Sequence, residues 1–472
     1  MGVHRIRSSN RTITVFVLAI LMTWVLAFSF EGQILYALPW HNKIEIKRLV
    51  FACFLIFCIG ALTSDFIFKN SRAVKLLLTC TTIICMITSV ICFLRPGVLW
   101  HIFMLVSIFL VGCSSACWSL YYMEFTPVKD RLRTAADVLI YNNIGLLILG
   151  LVVVYYSYAS GLFLIIFLLL IALLLVRRLP ADLALPTINT EKKPFNRSLI
   201  KAVLLLFLFI FIISINMGLA YQVLLPSFYH LGIMIHFYWS IPYLISLIVI
   251  RNLPASFNRN YLLQVTIAML GFAYMGFMIM DRSMTSFLVI CSIIFFAKGV
   301  FDLFWWSIIG GMLDLTRSPI RILSGGLTFN TLGLLAGRGI GNFISIMRYD
   351  SVYLSAIALG VVFLVLILMP PLLNQLTEIL KNHINLDQFS KLPVAEQTKV
   401  IKKTMMIDHL TERESEIADL LMRGRTYKMI SAELFLSENT VKTHVKNIYS
   451  KLQIKNKTEL INILMEQYMM EK

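Results

Sequence analysis

Charged side chains are scarce in this chain of 472 residues: 14% are Asp, Glu, Lys or Arg, while 58% are hydrophobic. A soluble domain of this length needs far more polar surface to cover its core. The scarcity excludes a soluble globular fold for most of the chain. Acidic residues are less common than basic ones, with 25 Asp and Glu against 42 Lys and Arg. Residues 377–472 are nearly balanced, with 13 acidic and 15 basic side chains, so nucleic-acid binding there depends on local placement of charge.

Motifs for metal binding and catalysis are also missing. The eight cysteines lie in apolar segments without a CxxC spacing or a neighbouring histidine cluster, which predicts buried small side chains. The glycines from Gly337 to Gly341 do not form a nucleotide loop, because no strand precedes them and they lie inside an apolar segment. Paired carboxylates and a nucleophile elbow are not found. We therefore predict no enzyme, no cofactor and no metal site.

Apolar runs of about twenty residues recur along residues 1–376, the length needed to cross a hydrocarbon layer of about 30 Å. We predict an all-α fold in which a polytopic helical bundle of twelve spans precedes a small four-helix domain. The two six-helix halves are expected at about 1–176 and 201–376. The predicted spans are 13–31, 49–68, 75–94, 98–124, 137–157, 160–177, 201–225, 233–251, 261–280, 284–314, 321–346 and 351–376.

Basic loop residues alternate between the two sides of this bundle. The rich side carries Arg5, Arg7, Arg11, Lys69, Arg72, Lys75, Lys129, Arg131, Arg133, Arg177, Arg178, Lys192, Lys193, Arg197, Arg251, Arg259, Arg317 and Arg321. The poor side carries chiefly Lys43, Lys47, Arg48, Arg95, Arg282 and Arg348. The positive-inside rule places the rich side and both termini in the cytoplasm. We expect a multi-pass protein of the bacterial inner membrane, with the lipid bilayer as a partner.

An internal repeat relates the two halves at a constant offset of 188 residues. The matching pairs are Trp118-Ser119 and Trp306-Ser307, Arg133 and Arg321, Tyr141-Asn142 and Phe329-Asn330, and Gly145-Leu146-Leu147 and Gly333-Leu334-Leu335. Two six-helix halves of the same orientation, joined by a cytoplasmic loop, resemble the major facilitator superfamily over about residues 10–376. The loop motif of that family is degraded here to Gly60, Asp65, Lys69 and Arg72.

Polar residues inside the predicted spans are candidates for a ligand cavity, because ionisable groups in a membrane are costly. The resemblance implies a cavity between the halves, and the candidates are Lys298, Asp302, Arg338, Asn142, Asn330 and Trp239. The alternative is structural: Lys298 and Asp302, four residues apart, neutralise each other, and the amides bridge helices. Gly333, Gly337 and Gly341 form a stripe that predicts close helix packing.

After residue 376 the composition becomes polar. Residues 377–407 are predicted to be a cytoplasmic linker, either a tether or a connecting helix, whose basic side has anionic lipid as an alternative partner. Residues 408–472 are predicted to form the four-helix domain. Thr411 and Glu414 are spaced as a capping box, and Ser437 is placed to cap the third helix.

The second and third helices of this domain have distinct faces. The second, about 427–435, has the apolar residues Met429, Ile430, Leu434 and Phe435. In the third, Val441, Val445 and Ile448 share a buried face, while Lys442, Thr443, Lys446, Asn447 and Ser450 lie opposite. The polar set suits contacts to base edges and phosphates. Two short helices and a tight turn indicate a helix-turn-helix domain; the alternative is a small bundle that binds protein.

The pattern from Leu410 to Leu452 strongly resembles the LuxR-type helix-turn-helix family, and the likeness covers about 408–468. The shared residues are Leu410-Thr411-x-Arg413-Glu414, then Gly424, Lys428 and Ile430, then Ser437-x-x-Thr440-Val441-Lys442-Thr443-His444-Val445-x-Asn447-Ile448-x-x-Lys451-Leu452. The resemblance implies that this helix lies in the major groove of double-stranded DNA.

The resemblance also implies roles for individual positions. Residues that face the bases match Lys442, Thr443 and Lys446, and Asn447 lies on the same face. Residues that contact the DNA backbone match Thr440, Lys428, Lys451 and Lys457. Family members dimerise through the fourth helix, which here matches Leu460, Ile463 and Leu464. Two departures are Tyr427, where a small polar residue is usual, and Lys457, where arginine is common.

Together these features predict a membrane-bound one-component transcription regulator. The membrane domain is expected to sense an unknown small ligand, and the C-terminal domain to bind a promoter as a homodimer. The main alternative is a secondary transporter with an appended DNA-binding domain. A scaffold whose tail binds protein is a further alternative.

Overall fold

The structure is a computed structural model, and it describes most of the chain. The described residues are 2–30, 32–37, 43–68, 70–93, 97–183, 197–232, 234–253, 259–316, 318–347, 351–391, 410–422, 425–454, 459–460 and 463. Within these ranges the regular structure is helical, with no strand. The chain divides into two compact units, residues 1–372 and 373–472.

The first unit is built from twelve long helices, one for each predicted span, within the described ranges. They are α1 Gly2–Phe28, α2 Lys43–Ile67, α3 Ser71–Ile91, α4 Val98–Phe125, α5 Arg131–Tyr155, α6 Tyr158–Arg178, α7 Arg197–Leu219, α8 Ser240–Asn252, α9 Arg259–Ile279, α10 Met284–Met312, α11 Pro319–Ile346 and α12 Ser351–Lys391. Among the described helices, ten are long and apolar enough to cross a bilayer, α8 is a shorter apolar helix, and α11 is not among the ten candidate spans. The chain is therefore a multi-pass membrane protein with an all-α fold.

Three spans differ in detail from the sequence expectation. Span seven does not continue as α-helix to residue 225, because Ala220–Leu224 is a π-helix. Span eight is divided into Met234–Tyr238 and Ser240–Asn252. The last helix does not end at residue 376 but continues to Lys391, despite Pro370 and Pro371 within it. The first part of the predicted linker is thus helical, and residues 392–407 lie outside the described residues.

The cysteines largely follow the sequence expectation. Seven of them are buried in the bundle, but Cys80 is exposed. Cys80 lies on α3, whose buried residues include Val74, Leu77, Leu78, Thr81 and Thr82. Both faces of a membrane helix are apolar in sequence, so the sequence does not show that Cys80 lies on a face directed away from the bundle.

The internal repeat is visible in the hydrogen bonds. In the first half Thr23 on α1 donates to the side-chain oxygen of Asn142 on α5, at 3.2 Å. In the second half Ser214 on α7 donates to the side-chain oxygen of Asn330 on α11, at 2.8 Å. Corresponding helices are therefore tied through the repeated asparagines, although the donors Thr23 and Ser214 are three residues out of the repeat register. The repeat-related rings of Trp118 and Trp306 also meet edge to face, with centroids 6.1 Å apart.

The glycine stripe on α11 packs against α7, as the sequence predicts. A methyl group on Gly333 would lie 2.2 Å from the Phe211 carbonyl oxygen, and one on Gly337 would lie 2.1 Å from that of Ile215. Both distances are too short for a side chain, so only glycine permits this backbone approach. The stripe brings the polar residues of α11 close to those of α7.

Ion pairs join the two halves at the helix ends that the sequence places in the cytoplasm. Asp137 on α5 bonds Arg11 of its own half at 2.8 Å and Arg251 of the other half at 2.6 Å. Asp65 on α2 accepts bonds from Arg321, at 2.7 Å, and from Ser318. Arg131 and Asp314 form a further pair. The basic residues of these pairs were expected only as loop charges that set the topology. In the structure they also join the two halves.

The second unit contains a compact module with three described helices, α13 Glu412–Met422, α14 Tyr427–Glu433 and α15 Glu438–Lys451. Its core consists of Ile417, Ala418, Leu420, Leu421, Ile430, Val441, Val445, Ile448 and Leu460. Most of these positions follow from helical spacing. The fourth helix falls largely outside the described residues, which there comprise 459–460 and 463.

The turn after α14 corrects one expectation. Phe435 was expected on the apolar face of a helix to residue 435, but α14 ends at Glu433 and the Phe435 side chain is 95% exposed. Its φ of 54° is in the left-handed region, which bulky residues rarely adopt. The tight turn requires this conformation, and it directs the ring to solvent. Met429 is also exposed.

Candidate DNA-binding face and central cavity

Local hydrogen bonds fix the starts of α14 and α15 and the turn between them. The Thr426 hydroxyl accepts from the Met429 amide at the start of α14, and the Ser437 hydroxyl accepts from the Thr440 amide at the start of α15, at 3.0 Å. These are N-caps, which satisfy amides that have no partner within the helix. The Arg413 guanidinium donates to the Leu434 carbonyl at 2.7 Å and holds the turn against α13. Sequence analysis matched Arg413 to the family pattern but assigned it no role.

The α15 helix presents a polar face opposite its buried one. Val441, Val445 and Ile448 are buried, so the side chains between them point outward. The exposed set is Lys442, Thr443, Lys446 and Asn447, as predicted. The Thr443 hydroxyl donates to the Asn439 carbonyl at 3.0 Å, which fixes the orientation of that side chain. Such a face can place two ammonium groups and an amide in a groove.

The side chains expected to contact the DNA backbone differ in their exposure and in their hydrogen bonds. Lys428 is exposed on α14. The Thr440 hydroxyl is partly used, because it shares a hydrogen bond with Ser437. The Lys451 ammonium lies 2.6 Å from a Glu414 carboxylate oxygen, so it has an intramolecular partner that sequence analysis did not assign. Lys457 lies outside the described residues.

Glu414 links the start of α13 to the end of α15. Its carboxylate accepts from the Thr411 amide at 2.9 Å, and its own amide donates to the Thr411 hydroxyl. The predicted capping box is therefore confirmed. Burial raises the pKa of Glu414, but hydrogen bonds from Lys451 and Thr411 outweigh it, and the net pKa lies below its ordinary value. The charged carboxylate is the stable form in the folded module.

The predicted dimerisation residues divide between the core and the surface. Leu460 is 2% exposed and packs in the core of its own module, so its side chain is not presented to a partner. The role of the fourth helix in a dimer stays a prediction. Ile463 is half-buried, and Leu464 lies outside the described residues. Helical spacing alone does not separate an apolar core position from an interface position.

A cavity of about 1150 Å³ lies inside the membrane bundle. All six ligand candidates, Lys298, Asp302, Arg338, Asn142, Asn330 and Trp239, contribute to its wall. Both halves line it, and it extends to Val154 and Ser345, near the ends of α5 and α11. Those ends are opposite to the ends that the ion pairs join.

Two charged residues of the wall, Lys298 and Asp302, form a hydrogen-bonded cluster with Tyr243. The Lys298 ammonium lies 2.6 Å from Asp302 Oδ2, and the Tyr243 hydroxyl donates to the same oxygen at 2.8 Å. Lys298 also lies over the Tyr243 ring, 5.4 Å from its centroid. The predicted neutralisation of Lys298 by Asp302 is thus present, but the pair lines the cavity as well. Sequence analysis did not single out Tyr243, whose distance of 59 residues from Asp302 hides the contact.

The other ligand candidates pack against neighbouring helices and also line the cavity. Asn142 and Asn330 bridge helices through Thr23 and Ser214 and still line the cavity. Trp239 packs near Phe295, with ring centroids 5.8 Å apart. Arg338 lies over the Phe54 ring at 5.4 Å. The two interpretations of these residues are therefore compatible.

Other residues that line the cavity were not among the ligand candidates, because the local structure that places them cannot be read from the sequence. The π-helix Ala220–Leu224 carries Tyr221 and Gln222 into the wall. A π-helix inside a longer helix often occurs at a functional site. Trp305 and Trp306 also line the cavity, and their rings lie 5.1 Å apart.

The C-terminal module matches a known family. Residues 408–464 match the model described as bacterial regulatory proteins, luxR family. Spore germination protein GerE of Bacillus subtilis is 42% identical over 52 residues, which are 11% of this chain and 70% of that protein.

Two longer relatives match the same region. Transcriptional regulatory protein LiaR of Bacillus subtilis is 48% identical over 52 residues, 11% of this chain and 25% of that protein. The CsgBAC operon transcriptional regulatory protein of Escherichia coli is 45% identical over 53 residues, 11% of this chain and 24% of that protein. The chain thus spans about a quarter of the length of these relatives.

The membrane bundle is similar to solved transporters. The major facilitator superfamily transporter FucP, in the outward conformation, matches with a TM-score of 0.53 and 12% identity over 76% of this chain and 98% of that one. The human organic anion transporter MFSD10 (TETRAN) matches with a TM-score of 0.53 and 14% identity over 78% of this chain and 99% of that one. At these identities the likeness establishes the fold alone: the bundle folds like these two transporters.

Proposed function

This chain belongs to the luxR family of bacterial regulatory proteins through its C-terminal module, and we propose that it is a membrane-bound one-component transcription regulator. The observation that carries the proposal is the union of two sites in one chain: a polar helix face suited to DNA, and a polar cavity in a membrane bundle. In this proposal the first site reads a promoter and the second senses a small molecule.

The DNA-binding role is supported by the outer face of α15. Lys442, Lys446 and Asn447 are exposed beside one another, while the opposite side of the helix is buried. Lysine and asparagine side chains provide both phosphate and base contacts. The module binds as a homodimer in this proposal, through the segment that contains Ile463.

The sensing role is supported by the cavity. A ligand can change the state of a protein only if it binds two conformations with different affinity. The wall contains residues of both halves, among them Asn142 and Asn330, so relative motion of the halves alters the site. In this proposal the protein lies in the bacterial inner membrane with both termini in the cytoplasm, where the module meets DNA.

The test is DNA binding by the full chain in lipid nanodiscs. Genomic fragments would be selected on the wild-type protein, and the retained fragments titrated at two salt concentrations. We expect the double variant Lys442→Ala/Lys446→Ala to lose specific binding. The matched control is Arg177→Ala/Arg178→Ala, which removes two positive charges from the end of α6 and leaves the module unchanged.

The salt dependence separates the outcomes. Binding to DNA becomes weaker as salt rises, because phosphate contacts release counterions. If the wild-type chain selects no fragment over random DNA, or if the lysine variant selects as well as the control, the regulator proposal is wrong. A module that binds a protein would retain no DNA in either case.

A second function is favoured by the transporter fold and by the Lys298–Asp302 pair, whose atoms lie 2.6 Å apart inside the cavity. In this alternative the bundle moves its ligand across the membrane and the module is an appended regulator. Accumulation of a bound compound in vesicles, driven by a proton or sodium gradient, would support transport. Binding without accumulation supports sensing alone.

A further inference from the structure

Two asparagines of the cavity wall occupy equivalent places in the two halves. Asn142 on α5 and Asn330 on α11 are separated by the repeat offset of 188 residues, and both line the cavity. Parallel repeats in this kind of membrane bundle are related by a two-fold axis along the membrane normal. Groups related by such an axis lie on opposite sides of it, so the two amides belong to opposite walls of the cavity.

Each of these two side chains uses its oxygen in the structure and leaves its nitrogen available. The Asn142 oxygen accepts from Thr23 at 3.2 Å, and the Asn330 oxygen accepts from Ser214 at 2.8 Å. Among the described residues, neither amide nitrogen donates a hydrogen bond. An amide nitrogen carries two donors, and a donor without an acceptor is costly inside a membrane bundle. The bridge between helices therefore accounts for the oxygen, and the nitrogen is left to donate into the cavity.

The repeat separates this pair from the other amides in the described part of the wall. Those amides are Asn143, Gln222 and Asn342. The offset relates them to Thr331, Ile34 and Val154, none of which is an amide. The rest of the wall includes the aromatic rings of three tryptophans, Trp239, Trp305 and Trp306. Aromatic walls hold the body of a small ligand, while a few polar groups orient it.

We propose that the ligand carries hydrogen-bond acceptor oxygens at two opposite ends of an apolar or aromatic body, as a para-diketone does. One oxygen accepts from Asn142 and the other from Asn330, so that a single ligand joins the two halves. This inference rests on the proposed function and specifies its ligand class. A ligand with both acceptors binds best to the conformation in which both amides reach it, and a sensor requires such a difference in affinity.

The test uses three uncharged probes: para-diacetylbenzene, meta-diacetylbenzene and para-methylacetophenone. The first has two opposed carbonyl oxygens, the second has two that are not opposed, and the third has one. Their binding to the full chain in nanodiscs would be measured by calorimetry, with empty nanodiscs as the blank. We expect the para-diketone to bind about fivefold more tightly than either of the others, the change that one neutral hydrogen bond produces.

Variants assign the effect to the amide nitrogens. Asn142→Ala and Asn330→Ala should each remove the preference for the para-diketone, because one of its two oxygens then has no donor. The matched control is Thr23→Val, which breaks the helix bridge of Asn142 from the other end and leaves the amide nitrogen in place. Thr23 does not line the cavity, so the control should retain the preference. Elution as a single species establishes that each variant is folded.

Each outcome supports the proposal or overturns it. Equal binding of the three probes overturns it, as does the absence of saturable binding by the para-diketone. Equal losses in Thr23→Val and Asn142→Ala also overturn it, because the amide would then act only through the helix bridge.

DNA affinity measured in the same samples tests the proposed function separately. A chain that selects promoter fragments but shows no preference for the para-diketone would leave the regulator intact without this ligand class. A chain that binds the para-diketone with the expected preference but selects no DNA would have the ligand class without the regulator.

Discussion

The membrane bundle and the C-terminal module use charged residues in opposite ways. In the bundle, charges are few and mostly face one another: Asp137 lies between Arg11 and Arg251, and Asp302 beside Lys298. In the module, Lys442 and Lys446 point away from the core. For Asp302 and Lys298 the difference follows from their surroundings, because an unpaired charge is costly inside a membrane bundle and cheap in water. Charge therefore holds the bundle together, whereas in the module it is available for a partner.

The largest expected effect concerns the shared carboxylate of the bundle. Asp137→Asn removes the charged acceptor for two partly exposed arginines, one from each half, and a hydrogen bond to a charged group is worth about 1.5 to 3 kcal/mol. We expect a clearly lower melting temperature of the full chain in detergent. Asp182→Asn is the control, since it removes an exposed partner of Arg72. Equal melting temperatures for the two variants would contradict the internal role of charge in the bundle.

The Glu414–Lys451 pair is an exception to the outward charges of the module, because the Lys451 ammonium binds a carboxylate of the module itself. Glu414→Gln weakens hydrogen bonds to a charged group, each worth about 1.5 to 3 kcal/mol. The lowered pKa of Glu414 means that its stabilisation is present above about pH 4.3, the unfolded value, and is lost as the pH falls through the lower folded value. Protease resistance of residues 410–454 in the full chain measures this effect. Acid should reduce the protease resistance of the variant less than that of the wild type. If both lose resistance over the same pH range and to the same extent, the expectation is wrong.

A smaller effect is expected at Lys428, an outward charge of the module. Lys428→Ala should weaken binding to all DNA sequences alike and reduce the salt slope by about 0.9, the value for one phosphate contact. Titration at several salt concentrations measures the slope. If the loss depends on sequence and the slope is unchanged, Lys428 is not a phosphate contact.

The smallest effects are expected at the repeated amides. Asn142→Ala and Asn330→Ala each remove one interhelical hydrogen bond, worth about 0.6 kcal/mol inside a membrane protein. Because each asparagine accepts a side-chain hydrogen bond from the first helix of its own half, the two variants should lower the melting temperature by similar amounts. A large difference between them would show that the repeat is not matched in energy.

The sequence by itself determined the helical class, the membrane character of the first unit and most of the core and polar face of the module; it predicted twelve spans, and ten described helices are long and apolar enough to cross a bilayer. Hydrophobic length and helical spacing act along a single helix, so they can be read from neighbouring residues. Val441, Val445 and Ile448 illustrate this, since spacing alone separates them from Lys442 and Lys446. The family pattern added the residues expected to contact DNA.

Tertiary structure alone decided which distant residues meet. Tyr243 joins Lys298 and Asp302, Lys451 joins Glu414, and Arg413 reaches the Leu434 carbonyl. It also assigned Leu460 to the core and turned Phe435 to solvent. These contacts depend on how helices cross and where a tight turn leaves the α-region, which no local spacing encodes. The cavity arises in the same way, because its wall is assembled from residues that lie far apart in the chain.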